Sequence, residues 1–275
     1  MEQMSDLRKL QLEEKKILDI FVEICEKYNL RYYLLGGTLL GAIRHNGFIP
    51  WDDDVDICMP RSDYNVFLEK AEKELKAPYY IVGHHNNRDY RYCFARIANP
   101  DVKIKNYSAN IPRVEDAWLD IIPMDGMPEG KIELAIHKFK LYFWRSLNQI
   151  AQYDELVDQK RKRSTVETIL IKIAGWKIFR KIIDYRKCVA NIQKELSKYA
   201  YDEHDMVINY MAAYGFKETF KKSWFEEGEK YPFEDSSYIG PKDYDAVLKT
   251  IYGDTYMELP PEDDRNKHNA EIIQI

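Results

Sequence analysis

Four aspartates stand within five consecutive positions, between a tryptophan and an apolar run. Residues 50–57 read Pro-Trp-Asp-Asp-Asp-Val-Asp-Ile, which places the carboxylates on Asp52, Asp53, Asp54 and Asp56. Like charges at this density repel one another, and a folded chain tolerates them mainly where a cation neutralises them. Carboxylate oxygens are hard ligands that suit Mg²⁺ or Mn²⁺. The segment therefore predicts a divalent-cation site.

The last two of these acids lead into a short apolar run that is typical of a strand, residues 55–59. Side chains alternate along a strand, so Asp54 and Asp56 point to one face while Val55 and Ile57 point into the core. A solvated acidic loop is the alternative. It fits less well, because Trp51 and the apolar run would partly bury the acids. We predict that Asp54 and Asp56 are metal ligands.

A third acid, Asp120, lies inside the apolar strand pattern of residues 118–122. A carboxylate in such a place costs free energy unless it is paired or bound to a cation. Asp120 is therefore either a further metal ligand or the partner of an arginine such as Arg96 in a buried salt bridge. The acids upstream favour the first hypothesis. We predict that Asp54, Asp56 and Asp120 form the catalytic and metal-binding set.

A glycine pair precedes the acids at a predicted strand-to-helix turn, Gly36-Gly37-Thr38. The free backbone N–H groups of a helix start point toward an anion, and glycine lets that anion approach closely. By itself the motif is more often a helix entry without a ligand. Arg44 and His45 end the same predicted helix, where they could contact a diphosphate or complement the helix dipole. With the acids downstream, we predict that these five residues bind the phosphates of a ligand.

The elements that position these residues mix helices and strands in the first 125 residues and then become mainly helical. Periodicity predicts helices at 5–28, from Thr38 to about Arg44, from Ser62 onward, at 131–150 and at about 165–200, and strands at 32–35, 55–59, 79–82, 90–97, 102–107 and 118–122. This order predicts an α+β fold. We expect a catalytic core over residues 1–130 and a mainly helical extension over 131–275 that completes the pocket.

Composition narrows the class of function. The chain has 275 residues, 45% of them hydrophobic and 32% charged, and a net charge of −5, which argues against a nucleic-acid partner. Residues 1–14 lack the apolar segment of a signal peptide, and no apolar run approaches the length of a membrane span. The four cysteines are widely spaced in apolar patterns. We therefore expect reduced thiols and a cytoplasmic location.

The order of a Gly-Gly turn, an Asp-x-Asp pair and a later strand aspartate resembles the nucleotidyltransferase fold of the DNA polymerase beta-like superfamily, a mixed sheet flanked by helices. In finer detail, residues 35–57 and 118–128 closely resemble the two main motifs of the LicD family, which is related to fukutin and the fukutin-related protein. Residues 241–245, 252–254 and 259–262, followed by His268, are similar to its C-terminal motif.

This resemblance implies an enzyme that moves phosphocholine from CDP-choline to a sugar hydroxyl and releases CMP. The acceptor would be a cell-surface glycan, such as a teichoic acid or lipopolysaccharide, or its lipid-linked precursor. Relatives use CDP-ribitol, so the shared donor class is a CDP-alcohol. In this scheme Asp54, Asp56 and Asp120 hold one or two Mg²⁺ (or Mn²⁺) ions. Asp120, or else Asp52 or Asp53, accepts the proton of the sugar hydroxyl.

Two other functions would use the same residues: a nucleotidyltransferase that moves NMP from an NTP to a small acceptor, and a non-catalytic nucleotide- or metal-binding module. Lys242, Asp243, Arg265 and His268 are further candidates for closing the pocket, although ordinary surface charges explain them more simply. The basic, aromatic stretch 172–186 predicts a core-facing amphipathic helix or, alternatively, peripheral contact with the inner face of the membrane.

Overall fold

The computed structural model describes residues 5–107, 111–156, 182–262, 265 and 270–274. The helices are α1 Asp6–Tyr28, α2 Gly36–His45, α3 Arg61–Glu74, α4 Lys131–Ala151, α5 Tyr153–Leu156, α6 Tyr185–Leu196 and α7 Tyr244–Tyr252. The strands are β1 Tyr33–Leu34, β2 Asp56–Pro60, β3 Tyr80–Val82, β4 Ala95–Asn106, β5 Arg113–Gly126, β6 Met206–Ile208, β7 Thr219–Lys221, β8 Glu229–Phe233, β9 Ser236–Gly240 and β10 Ala270–Gln274. The predicted α+β class, with a mixed sheet and helices, is confirmed.

An eight-stranded sheet places the predicted acids. Its main order is β1-β2-β5-β4-β10, with β3 on β4 and with β6 joining β5 to β7, while β8 and β9 form a separate hairpin. Strands β2 and β5 run parallel, and in their register Asp56 is the partner of Asp120. Strand β4 runs antiparallel on the other side of β5, where Arg96 is the partner of Asp120. Register partners share a face of the sheet, so these three side chains lie in a row.

The opposite face of the sheet is apolar. Ile57, Ile97, Leu119 and Ile121 are fully buried there and belong to the main core, which also contains the apolar sides of α1 and α3. Helix α1 begins where the Ser5 hydroxyl accepts a hydrogen bond from the Arg8 N–H at 3.3 Å. Its long apolar stripe anchors it beneath the sheet. The acids and their supporting core therefore occupy opposite faces.

Several element predictions were inaccurate in detail, and strand β5 extends well beyond the predicted 118–122 in both directions. Helix α2 begins at Gly36 and not at Thr38, and α3 begins at Arg61 after Pro60, so Ser62 does not cap it. The strand predicted at 90–97 begins only at Ala95 and continues through the one predicted at 102–107 as a single strand, β4, with a register shift between Asn99 and Lys103. Such a bulge lets a strand continue past a residue that breaks the ladder.

The second half of the chain also contains five strands that the sequence pattern did not predict, β6 to β10, and β6, β7 and β10 join the main sheet. The division at residue 130 stays a prediction. Residues 157–181, which include most of the stretch with a predicted membrane contact, lie outside the described residues. Within the described part of the chain, no helix is both long enough and apolar enough to cross a membrane.

Candidate active site

The three consecutive aspartates Asp52–Asp54, called the acidic turn below, border a cleft of about 640 Å³ between the start of α2 and the segment that follows α7. Asp52, Asp54 and Asp56 line this cleft. The other lining residues are Gly37, Leu40, Arg44, Ile49, Trp51, Ala213, Tyr214, Tyr252, Thr255, Tyr256, Glu258, Leu259, Pro260 and Pro261. Carboxylates, one arginine and several aromatic rings thus face one space of the size that small-molecule sites usually have.

Two glycines allow carboxylates to approach the start of α2. A Cβ atom on Gly37 would lie 2.6 Å from Oδ2 of Asp52. Gly36 has a φ of +57°, in the left-handed region that favours glycine, and a Cβ atom there would lie 3.4 Å from Oδ2 of Asp56. Two carboxylates therefore lie beside the helix N-terminus, where the sequence pattern predicts the anion of a ligand.

Thr38 holds the backbone of Asp56 in place. Its buried hydroxyl accepts a hydrogen bond from the Asp56 N–H at 2.9 Å. The hydroxyl thus serves the backbone of β2, and the predicted binding of a phosphate through the backbone N–H groups at the start of α2 stays a prediction. The bond fixes the first residue of β2 and so positions the Asp56 carboxylate.

Arg44 lines the cleft, and His45 supports it. The Arg44 guanidinium donates to the carbonyl oxygens of Tyr256 at 3.0 Å and Glu258 at 3.2 Å, and its Nε donates to Nε2 of His45 at 3.0 Å. Burial and the charge of Arg44 lower the pKa of His45, which favours the neutral imidazole as the acceptor. Arg44 therefore reaches the ligand space, whereas His45 orients it.

The acids repel one another in this structure. Carboxylate oxygens of Asp52, Asp53 and Asp54 lie within 4.8 Å of one another. Desolvation, followed by the charges of Asp54 and Asp120, raises the pKa of Asp56 well above its usual range. A divalent cation would relieve this cost, since an opposite charge favours the ionised form.

Asp120 forms the buried salt bridge that was the alternative hypothesis. Arg96 Nε donates to its Oδ1 at 2.5 Å, and the guanidinium lies 4.3 Å from the ring centres of both Tyr92 and Trp118. Burial raises the pKa of Asp120, although Arg96 opposes that shift. Asp120 adjoins Asp56 in the sheet but is not part of the close group at 52–54. Its role as a metal ligand stays a prediction.

Two buried acids near this site were not singled out from the sequence. Glu218 lines a small cavity with Gly36, Gly37 and Asp56, and burial raises its pKa to about 7. Glu14 of α1 is completely buried, and neither of its carboxylate oxygens has a hydrogen-bond partner among the described residues. Because the side chains that could hold an ion at the acidic cleft are all carboxylates, this site fits a hard divalent cation.

The four further candidates for closing the pocket do not all lie at the acidic cleft. The Asp243 carboxylate accepts from the Ala246 N–H and caps α7. Lys242 pairs with Glu226 and borders a larger cleft, of about 1350 Å³, that contains none of the predicted catalytic acids. Arg265 lies 4.9 Å from the ring centre of Trp51 and so adjoins the acidic cleft. His268 lies outside the described residues.

The fold and the cleft together define the class of protein: an α+β protein whose carboxylates cluster at a helix N-terminus that begins with two glycines. Residues 29–128 match the sequence profile described as LicD/FKTN/FKRP, nucleotidyltransferase domain. The chain is 31% identical over 280 residues to the lipopolysaccharide cholinephosphotransferase LicD of Haemophilus influenzae, covering 98% of each protein. It is 56% identical to the ribitol 5-phosphate transferases FKRP of Mus musculus and Homo sapiens over 36 residues, which are 13% of this chain and 7% of theirs. The chain belongs to the LicD family.

Proposed function

We propose that this protein is a metal-dependent transferase with a nucleotidyltransferase core, which moves phosphocholine from CDP-choline to a sugar hydroxyl of a cell-surface glycan or its lipid-linked precursor. The single observation that carries the proposal is the convergence of Asp52, Asp54 and Asp56 on one cleft at the start of α2. Similarity along 98% of the chain to a protein named a cholinephosphotransferase supports the choice of substituent.

The cleft suits the diphosphate of the donor. Arg44 supplies a guanidinium at its wall, and Arg265 lies against Trp51 nearby. Guanidinium groups bind phosphate oxygens with geometric specificity. Trp51, Tyr214 and Tyr256 offer aromatic surface for the cytosine ring.

A divalent cation, held by Asp54 and Asp56 with Asp120 beside them, would neutralise charge on the transferred phosphoryl group. The sugar oxygen bonds to the phosphorus that carries choline, the bond from that phosphorus to the bridging oxygen breaks, and CMP leaves. We assign Asp52 as the acceptor of the hydroxyl proton. It lines the cleft, whereas Arg96 holds Asp120, and Asp53 is buried.

The donor distinguishes the competing functions. Incubating the protein and Mg²⁺ with a glycan acceptor and either CDP-choline or CDP-ribitol should give CMP, with CDP-choline the better donor, and CTP should give no product. Pyrophosphate released from CTP would instead indicate the alternative nucleotidyltransferase, which shares the same acids. Donor-dependent thermal stabilisation without any product would indicate a binding module. Membrane contact of residues 172–186, the alternative to a core-facing helix, would be tested separately by sedimentation with anionic vesicles, where no binding at low salt would refute it.

Asp56→Asn should lower kcat by at least about 100-fold, because it removes a charge that binds the cation and leaves the shape of the side chain unchanged. The melting temperature should not fall, since desolvation and neighbouring acids oppose the charge of Asp56. Asp205→Asn, which changes an exposed acid at the larger cleft, is the matched control and should retain full activity. Turnover of Asp56→Asn near that of the wild type would refute the proposed role of these acids.

A further inference from the structure

Helix α1 carries a carboxylate into the interior behind the acidic turn. Glu14 is 0% exposed, and neither carboxylate oxygen has a hydrogen-bond partner among the described residues. The adjacent Glu13 is also buried, but its Oε1 accepts from Tyr79 at 3.0 Å and from Asn99 at 2.7 Å. A buried carboxylate without any partner is rare and costly, so Glu14 calls for a compensating group.

The same side of α1 holds the acidic turn. Gln11, three residues before Glu14, donates from Nε2 to the carbonyl oxygens of Asp52 at 2.9 Å and Ile49 at 3.3 Å. Residues three apart on a helix are neighbours on one face, so Glu14 also faces this turn. After burial, the charges of Asp54, Asp53, Asp52 and Asp120, in that order, are the main causes that raise the pKa of Glu14. The side chain is thus directed at the acids.

We propose that Glu14 is a ligand of a divalent cation bound on the interior side of the Asp52–Asp54 turn. Asp53 is the turn residue that we place beside it, because Asp53 is buried and does not line the cleft. This position differs from the one that faces the donor, and its ligands would be carboxylates suited to Mg²⁺ or Mn²⁺. The inference rests on the proposed function only in that the turn must bind a cation.

A cation in this position would join α1 to the turn and would act before any donor arrives. Binding should therefore stabilise the fold in the absence of substrate. Without the cation, the Glu14 carboxyl is a destabilising group that its uncharged amide analogue would relieve. A carboxyl that simply stays protonated predicts no such dependence on metal.

The test measures Mn²⁺ binding to the full chain in the absence of donor. Bound Mn²⁺ is determined from the decrease in the electron paramagnetic resonance signal of free Mn²⁺. Glu14→Gln should lose one bound equivalent or bind it at least about tenfold more weakly. Its melting temperature should exceed that of the wild type in a chelator and fall below it in saturating Mn²⁺. Glu13→Gln, the neighbouring buried acid, is the control and should bind Mn²⁺ as the wild type does.

Unchanged Mn²⁺ binding by Glu14→Gln, or a wild type that binds no Mn²⁺ without donor, would overturn the inference and leave the proposed function intact. If Glu14→Gln does not fold, Glu14→Asp keeps the charge but withdraws the oxygens by one methylene. Weaker Mn²⁺ binding by Glu14→Asp would support the inference, and unchanged binding would overturn it.

Discussion

Asp52 and Asp56 reach the start of α2 because Gly37 and Gly36 have no side chains there. The Thr38 hydroxyl adds a second constraint by holding the Asp56 N–H. Three consecutive residues of one helix turn therefore determine where two carboxylates lie. In the proposed reaction this positions the base and a metal ligand on the same wall of the cleft, which supports a fixed attack geometry.

Gly37→Ala should reduce activity without reducing stability. The added Cβ would lie 2.6 Å from Oδ2 of Asp52, which is the far end of a flexible side chain and can turn away at little cost. The helix itself favours alanine over glycine. We expect kcat/KM for CDP-choline to fall by about tenfold or more, with a melting temperature equal to or above that of the wild type.

Gly130→Ala is the matched control for this change, because a Cβ atom at that helix start would meet Glu133 at an ordinary 3.5 Å. It should leave kcat/KM unchanged. Full activity of Gly37→Ala would show that Asp52 does not need its present position, and the assignment of Asp52 as the base would then be wrong.

At the scale of elements, the local sequence pattern was sufficient to predict a helix or strand wherever that element's own apolar residues determine which of its faces is buried. The apolar repeat of α1 and the alternation of β2 predicted both elements to within about two residues. Strand β4 appeared as two strands because Pro100 cannot donate to a ladder, and the bulge that carries it past this residue has no local signature. The short strands β6 and β10 depend on partners far away in the chain, β5 and β4, and β7 in turn pairs with β6, so no local pattern could predict them.

The candidate site divides in the same way. Alternation correctly indicated that Asp56 lies on the face of the sheet opposite Ile57, but the choice between a metal and Arg96 as partner of Asp120 depended on β4, which is distant in sequence. Glu14 had a usable signal, because it interrupts the apolar stripe of α1 between Leu10 and Ile17. Glu218 had none, since its burial arises from tertiary packing.

Gln11→Met should separate α1 from the acidic turn without changing any acid. It removes the donor to the carbonyl oxygen of Asp52 and leaves Ile49 its bond from the Asp52 N–H. We expect a loss of about 1 to 3 kcal/mol in the free energy of unfolding, because a buried carbonyl loses its side-chain partner. The KM for CDP-choline should also rise, as the turn becomes less ordered. Urea denaturation and steady-state kinetics would measure both effects.

Glu23→Met tests whether this effect is local, because Glu23 is an exposed residue of the same helix. Its unfolding free energy should stay within about 0.5 kcal/mol of the wild type. Equal stability of Gln11→Met and Glu23→Met would show that the contact between α1 and the turn contributes little.

At the scale of the whole molecule, the site draws on segments from most of the described chain. Helix α1 contributes Glu14, the central strands contribute Asp56 and Asp120, and the segment before β7 contributes Glu218 beside Gly36. Several of these groups are buried acids whose neutral form is favoured in the absence of a cation. The stability of the metal-free protein should therefore depend on pH.

Glu218 offers the clearest test of this dependence. Burial raises its pKa from an ordinary 4.5 to about 7, and its oxygens accept hydrogen bonds from the Tyr214 N–H at 3.0 Å and from Asn209 Nδ2 at 2.9 Å. Between these pKa values the unfolded chain releases the proton while the folded protein retains it. The unfolded state then binds fewer protons, so this group lowers stability as pH rises. The loss begins near pH 4.5 and is complete above pH 7.

Glu218→Gln should remove this component. One pKa unit corresponds to 1.36 kcal/mol. The difference in unfolding free energy between the variant and the wild type should therefore increase in favour of the variant by about 2 to 3 kcal/mol from pH 5 to pH 8, measured by urea denaturation in a chelator. The glutamine amide fits, because the Oδ1 of Asn209 has no hydrogen-bond partner among the described residues and can accept from it once the Asn209 amide turns. Glu129→Gln, at an exposed position, should leave the pH profile unchanged. Parallel profiles for Glu218→Gln and the wild type would show that Glu218 ionises in the folded protein as readily as in the unfolded chain.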